Sequence, residues 1–135
     1  MRLTVPLHVA FNLVWIGSIA AAGLLLSKGP GDAKARGAAA LVVYRNLAVP
    51  AFIGSFLLGV VAFSRDLDLY LKQTKFMHGK IVIALVVIGL HHAIGARAKK
   101  MEAGVVDSEG PAWLLAQILV GAAGVAAYLA VAKPF

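Results

Sequence analysis

The chain has 135 residues, 61% of them hydrophobic and 14% charged, with a formal net charge of +7. A soluble domain of this length has too little interior to hide that apolar share, whereas a protein covered by lipid needs no such interior. Cysteine is absent, which excludes thiol catalysis, disulfides and iron–sulfur clusters.

Four apolar runs reach the roughly 20 residues needed to cross a bilayer. They cover about residues 3–27, 38–63, 76–97 and 111–132. The stretches between them, such as SKGPGDAKARG and SRDLDLYLKQTK, are short and polar. This pattern predicts an all-α fold over residues 1–135: a single transmembrane domain built as an integral membrane up-down four-helix bundle. The first run follows Arg2 and contains Ala20 and Ala22, as a signal peptide would. It is longer than a signal h-region of roughly 7–15 residues, so it is read as a retained span.

The basic residues sit mainly in the connections, where membrane topology explains them and a nucleic-acid partner is not expected. Lys28, Lys34, Arg36, Arg97, Lys99 and Lys100 lie on one side, and Arg2, Arg65, Lys72, Lys75 and Lys133 on the other. That bias leans toward both termini outside the cytoplasm, in a membrane read as the bacterial inner one. Small residues recur every fourth position at Ala51, Ser55 and Gly59, and at Ala122, Ala126 and Ala130. Such stripes let helices approach closely in lipid. Packing within the bundle is their expected use, and a homo-oligomer face the alternative.

All six acids, Asp32, Asp66, Asp68, Glu102, Asp107 and Glu109, fall outside the apolar runs. An ionisable group in hydrocarbon costs roughly 2.5–3.5 kcal/mol on insertion scales. Arg45 in the second run, and His78, Lys80, His91 and His92 in the third, therefore need partners that no carboxylate supplies. His8, Asn12 and Trp15 share one helix face at i, i+4 and i+7. Tyr44, Arg45 and Asn46 stand about two turns inside the second helix. Pro50 follows and is expected to kink that helix.

Depth sorts these groups into two levels. His8, His78 and Lys80 lie near one surface, and Arg45, Asn46, His91, His92 and Gln117 gather toward the other. His78 and His92 differ in depth by about 21 Å, so they do not share a small site. His8 and His78 stand on different helices at similar depth and are candidate metal ligands. Two imidazoles facing across a four-helix core can hold haem iron axially. The propionates of haem would find cations in Lys80, Arg45 or the loop bases. No nucleophile–base triad, phosphate loop or zinc-protease motif occurs, which leaves redox chemistry or binding.

LHVAFNLVW (His8, Trp15), YRNLAVP (Tyr44, Arg45, Pro50) and FMHGK followed by His91 resemble, in order and spacing, motifs of the HemJ-type protoporphyrinogen oxidases. The resemblance covers about the first three helices. It implies a small membrane protein of haem biosynthesis carrying haem b, with His8 and His78 at the metal. It further implies Trp15, Arg45, Lys80 and His91 as porphyrin contacts, with Lys80 and Arg45 as catalytic candidates. The implied reaction oxidises protoporphyrinogen IX to protoporphyrin IX and passes electrons to a quinone or another membrane acceptor. The chain departs from the family in reading AAGLLL near the end of helix 1, and in having Phe76 where the family prefers Trp. It also resembles, more distantly, the CopD-type copper-resistance membrane domain. A non-enzymatic b-type electron-transfer cytochrome and a copper transporter are the alternatives.

Overall fold

The computed structural model describes residues 3–73 and 75–132. Four long helices dominate it: α1 (Thr4–Lys28), α2 (Ala33–Arg65), α3 (Phe76–Glu102) and α4 (Ala112–Ala132). All four are long and apolar enough to cross a membrane. A short π-helical segment, Leu69–Gln73, lies between α2 and α3. No strand occurs among the described residues.

Two helices extend beyond their apolar runs. α2 starts at Ala33, ahead of the expected residue 38, because Asp32 caps it. The Asp32 carboxylate accepts from the Ala35 backbone N–H at 2.8 Å, satisfying a first-turn donor. α3 continues past Arg97 to Glu102 through ARAKKME, a run of good helix formers.

The bases at the α1–α2 and α3–α4 connections are partly spent on turns. Arg36 donates from Nε to the Leu26 carbonyl at 3.0 Å and from Nη1 to the Gly31 carbonyl at 3.2 Å. It thereby caps the C-terminal end of α1 with a cation. Arg97 donates to the Ser108 carbonyl from Nε at 2.9 Å and from Nη2 at 2.6 Å, fastening the connection to α4. Gly31 makes its turn at φ +88°, a backbone conformation that L side chains rarely adopt.

The core occupies one end of the molecule. Ile19, Leu26, Ile94, Met101 and Leu119 are fully buried there, with Ala22, Ala98 and Ala116 between them. Glycine sets how closely the helices approach. A Cβ on Gly23 would overlap Ala116, and one on Gly37 would overlap the backbone at Met101 and Glu102. The other end is looser. Over its first three turns α1 is covered only along Thr4, His8 and Asn12. Ser55 and Gly59 of α2 lie against that strip, so part of the predicted small-residue stripe serves packing inside the chain. Large apolar side chains around this end remain open, with Leu13 70%, Leu57 58% and Leu85 65% exposed.

Within α2, Tyr44–Ala48 forms a π-helical turn in which the Val49 N–H reaches the Tyr44 carbonyl. Pro50 explains it. Proline offers no N–H to the Asn46 carbonyl, and its ring crowds that oxygen in a regular helix. Widening the preceding turn relieves the clash. The helix therefore meets Pro50 with one turn of π geometry.

Candidate functional site

Three polar side chains from three helices meet at the centre of the molecule. The Trp15 indole N–H donates to His91 Nδ1 at 3.0 Å. Tyr44 Oη lies 3.2 Å from His91 Nε2. Indole nitrogen can only donate, so Nδ1 holds the lone pair and Nε2 holds the proton. Tyr44 oxygen must then accept from Nε2–H, which leaves its own hydroxyl proton to be given elsewhere. In this arrangement His91 spends both nitrogens inside the protein and has no lone pair for a metal. Phe52 closes the cluster, its ring 5.0 Å from Trp15 and 4.9 Å from His91, centre to centre. Gly95 admits the Tyr44 ring, which a Cβ there would overlap.

A second cluster stands toward the open end, between α1 and α2. His8 Nδ1–H donates to the Ser55 carbonyl at 2.8 Å. Ser55 Oγ donates to Asn12 Oδ1 at 2.7 Å, and Asn12 Nδ2 donates to His8 Nε2 at 3.1 Å. The circuit fixes the tautomer as Nδ1–H and leaves Nε2 covered only by a neutral amide. Gly59 makes room for this ring, since a Cβ there would stand 3.0 Å from His8 Cε1. Lys80, half-buried on α3, is close enough to His8 for the two to interact electrostatically.

The structure does not bring His78 to His8. Lys80 follows the side of α3 that also carries Phe76, Val87, His91 and Ile94, all buried. His78 is two residues before Lys80, about 200° around the helix, and is exposed. Among the described residues its side chain has no hydrogen-bond partner. Depth placed the two histidines at one level, but helix phase turns them apart. No group of three or more His, Cys, Asp or Glu residues gathers as a metal site among the described residues.

Arg45 makes no hydrogen bond to either cluster among the described residues, although the recess it lines shares Tyr44 with the first. It projects from the π turn and lines a recess of about 470 Å³ with Leu41, Tyr44, Val49, His92 and Lys99 among its walls. A neighbouring recess of about 350 Å³ shares Arg45 and includes Asn46 and Glu102. No ion pair to Arg45 occurs among the described residues. Lys80 and His92 are about 18 Å apart along α3, so Lys80 and Arg45 serve different places. Gln117 of α4 belongs to neither recess.

The partners that the polar groups of these apolar helices require are thus supplied in part by one another. No buried side-chain nitrogen or oxygen among the described residues lacks a partner. Ser55, Asn12, Tyr44 and Phe52 complete the two clusters, although none belongs to the ligand set predicted from sequence. Asn12 carried a signal in its i+4 spacing from His8, and Ser55 in its small-residue stripe. No family model, no curated protein and no solved structure matches the chain.

Proposed function

We propose that the four helices cross a bilayer as an up-down bundle and that the protein binds haem b, acting as an oxidoreductase of the HemJ type whose motifs it resembles. The membrane reading accounts for large apolar side chains left open at the loose end, which lipid would cover. It also accounts for a chain whose carboxylates all avoid the apolar runs.

The observation that supports the haem reading best is the hydrogen bonding of His8. A histidine that ligates a metal commonly ties its other ring N–H to a carbonyl, which fixes the ring and the tautomer. His8 has that arrangement: Nδ1–H on the Ser55 carbonyl, and Nε2 as the ligating nitrogen once the Asn12 amide swings aside. Lys80, half-buried on α3, would pair with a propionate, and the open apolar end would offer a wall for the macrocycle. These residues would supply one nitrogen ligand, His8 Nε2, to the iron. His78, exposed and turned away, does not fit as the second.

When bound, haem would supply one-electron redox chemistry. His8 would hold the iron, and Lys80 would orient an anionic tetrapyrrole, cofactor or substrate, by its propionate. Protoporphyrinogen carries the same propionates, so Lys80 is the residue of choice for positioning it. The acceptor would be a quinone or another component of the membrane.

The test is an absorption spectrum of the detergent-purified protein, oxidised and dithionite-reduced, with iron and copper analysis. Wild type should show a Soret band and a reduced α-band with stoichiometric iron. His8→Ala should lose them, and His78→Ala should keep them. A colourless wild-type protein after expression with haem supplied would overturn the reading, and copper in that protein would favour the CopD-like alternative. Growth restored to cells lacking protoporphyrinogen oxidase would establish the enzyme. A haem-loaded, well-expressed protein that fails there would be an electron carrier.

A further inference from the structure

We infer that the recess between α2 and α3 at Arg45 binds the phosphate headgroup of an anionic phospholipid. The inference rests on the membrane-spanning part of the proposed function and is independent of haem. Its chemistry comes from three donor-bearing residues in one lining, Arg45, Lys99 and Tyr44. Arg45 presents a guanidinium with no ion-pair partner among the described residues, and Lys99 presents an ammonium from the last turns of α3. Tyr44 supplies the third donor, and its polarity is dictated from the core. Trp15 fixes the His91 tautomer, His91 donates to Tyr44 oxygen, and the Tyr44 hydroxyl proton is left for an acceptor outside that chain.

The rest of the lining suits a lipid more than a free anion. Leu41, Val49 and Ala96 form an apolar flank beside the cations, where an acyl chain would lie. The recess also stands at the end of the helices where Lys28, Lys34, Arg36, Arg97 and Lys100 collect. A basic pocket between helices at the more basic surface is the arrangement that binds anionic headgroups. Glu102 lines the adjoining recess and is the one carboxylate in either lining. It leaves this wall with a net positive charge.

The experiment is native mass spectrometry of the detergent-solubilised protein titrated with phosphatidylglycerol or phosphatidylcholine of the same acyl chains, with inorganic phosphate as a competitor. Wild type should retain phosphatidylglycerol at least about tenfold more tightly than phosphatidylcholine. Arg45→Gln and Lys99→Gln should each remove most of that preference, while Lys100→Gln, outside the recess, should keep it. Equal retention of both lipids would overturn the inference, as would an undiminished preference in Arg45→Gln and Lys99→Gln. Displacement by inorganic phosphate at concentrations comparable to the lipid would mark a free-phosphate site instead and overturn the lipid assignment. Recovery of the expressed protein in alkali-washed membranes tests the membrane reading separately. A protein washed off by alkali would fail that reading, whereas a membrane-retained protein without lipid preference would fail only this inference.

Discussion

Trp15→Phe tests the central hydrogen-bonded chain directly. The substitution keeps an aromatic ring against Phe52 but removes the only donor to His91 Nδ1 among the described residues. His91 is 1% exposed and Trp15 7%, so water does not readily replace the lost partner. A buried acceptor left unpaired costs roughly 1–3 kcal/mol in soluble proteins. Interhelical hydrogen bonds in membranes average about 0.6 and reach about 1.7 kcal/mol. Burial of His91 and its link to Tyr44 on the opposite nitrogen place this bond toward the upper membrane value. The expected loss is about 1–2 kcal/mol, measured by reversible unfolding in mixed detergent micelles. Nitrogen-15 NMR of the imidazole should show a protonated Nε2 and an unprotonated Nδ1 in wild type, with the constraint released in the variant. A wild-type ring protonated at Nδ1 would refute the reasoning, and so would a Trp15→Phe cost below about 0.5 kcal/mol.

Gly95→Ala should destabilise the protein by about 1–3 kcal/mol through overlap with the Tyr44 ring. Adding Tyr44→Ala should recover part of that loss, and two independent, additive losses would show that the rings do not meet there. Asn12→Ala should lower stability by about 0.6–1.7 kcal/mol without lowering haem content, because it uncovers His8 Nε2. Haem lost together with the amide would mean that Asn12 does more than cap the ring.

The four helices were legible because apolar runs of about 20 residues stand out between short polar connections. Their ends were not, because hydropathy measures the membrane and not the helix. Ala33 to Gly37 and Ala98 to Glu102 are polar, yet they are helical through capping by Asp32 and through propensity. Asp32 ahead of an Ala- and Lys-rich stretch was a readable start signal. At the site, spacing along α1 correctly put His8, Asn12 and Trp15 on one side. It could not show that this side meets α2 at His8 and α3 at Trp15, since neighbouring helices cross. The same limit separates His78 from His8. Depth follows from residue number, but the direction of a side chain relative to another helix follows from packing.

The π turn in α2 has a consequence for how the two clusters relate. Tyr44 and Ser55 are 11 residues apart, which on a regular helix would point them within about 20° of each other. Instead Tyr44 meets His91 of α3 and Ser55 meets His8 of α1. The wide turn absorbs about one residue, rotating everything after it by about 100°. It acts as a phase shifter, letting one continuous helix address two partners in succession. Straightening that turn at unchanged length would swing the Ser55 carbonyl away from His8, whereas deleting one residue between Tyr44 and Ala48 would leave ten regular steps, about 280°, and keep Ser55 on His8 and Tyr44 on His91.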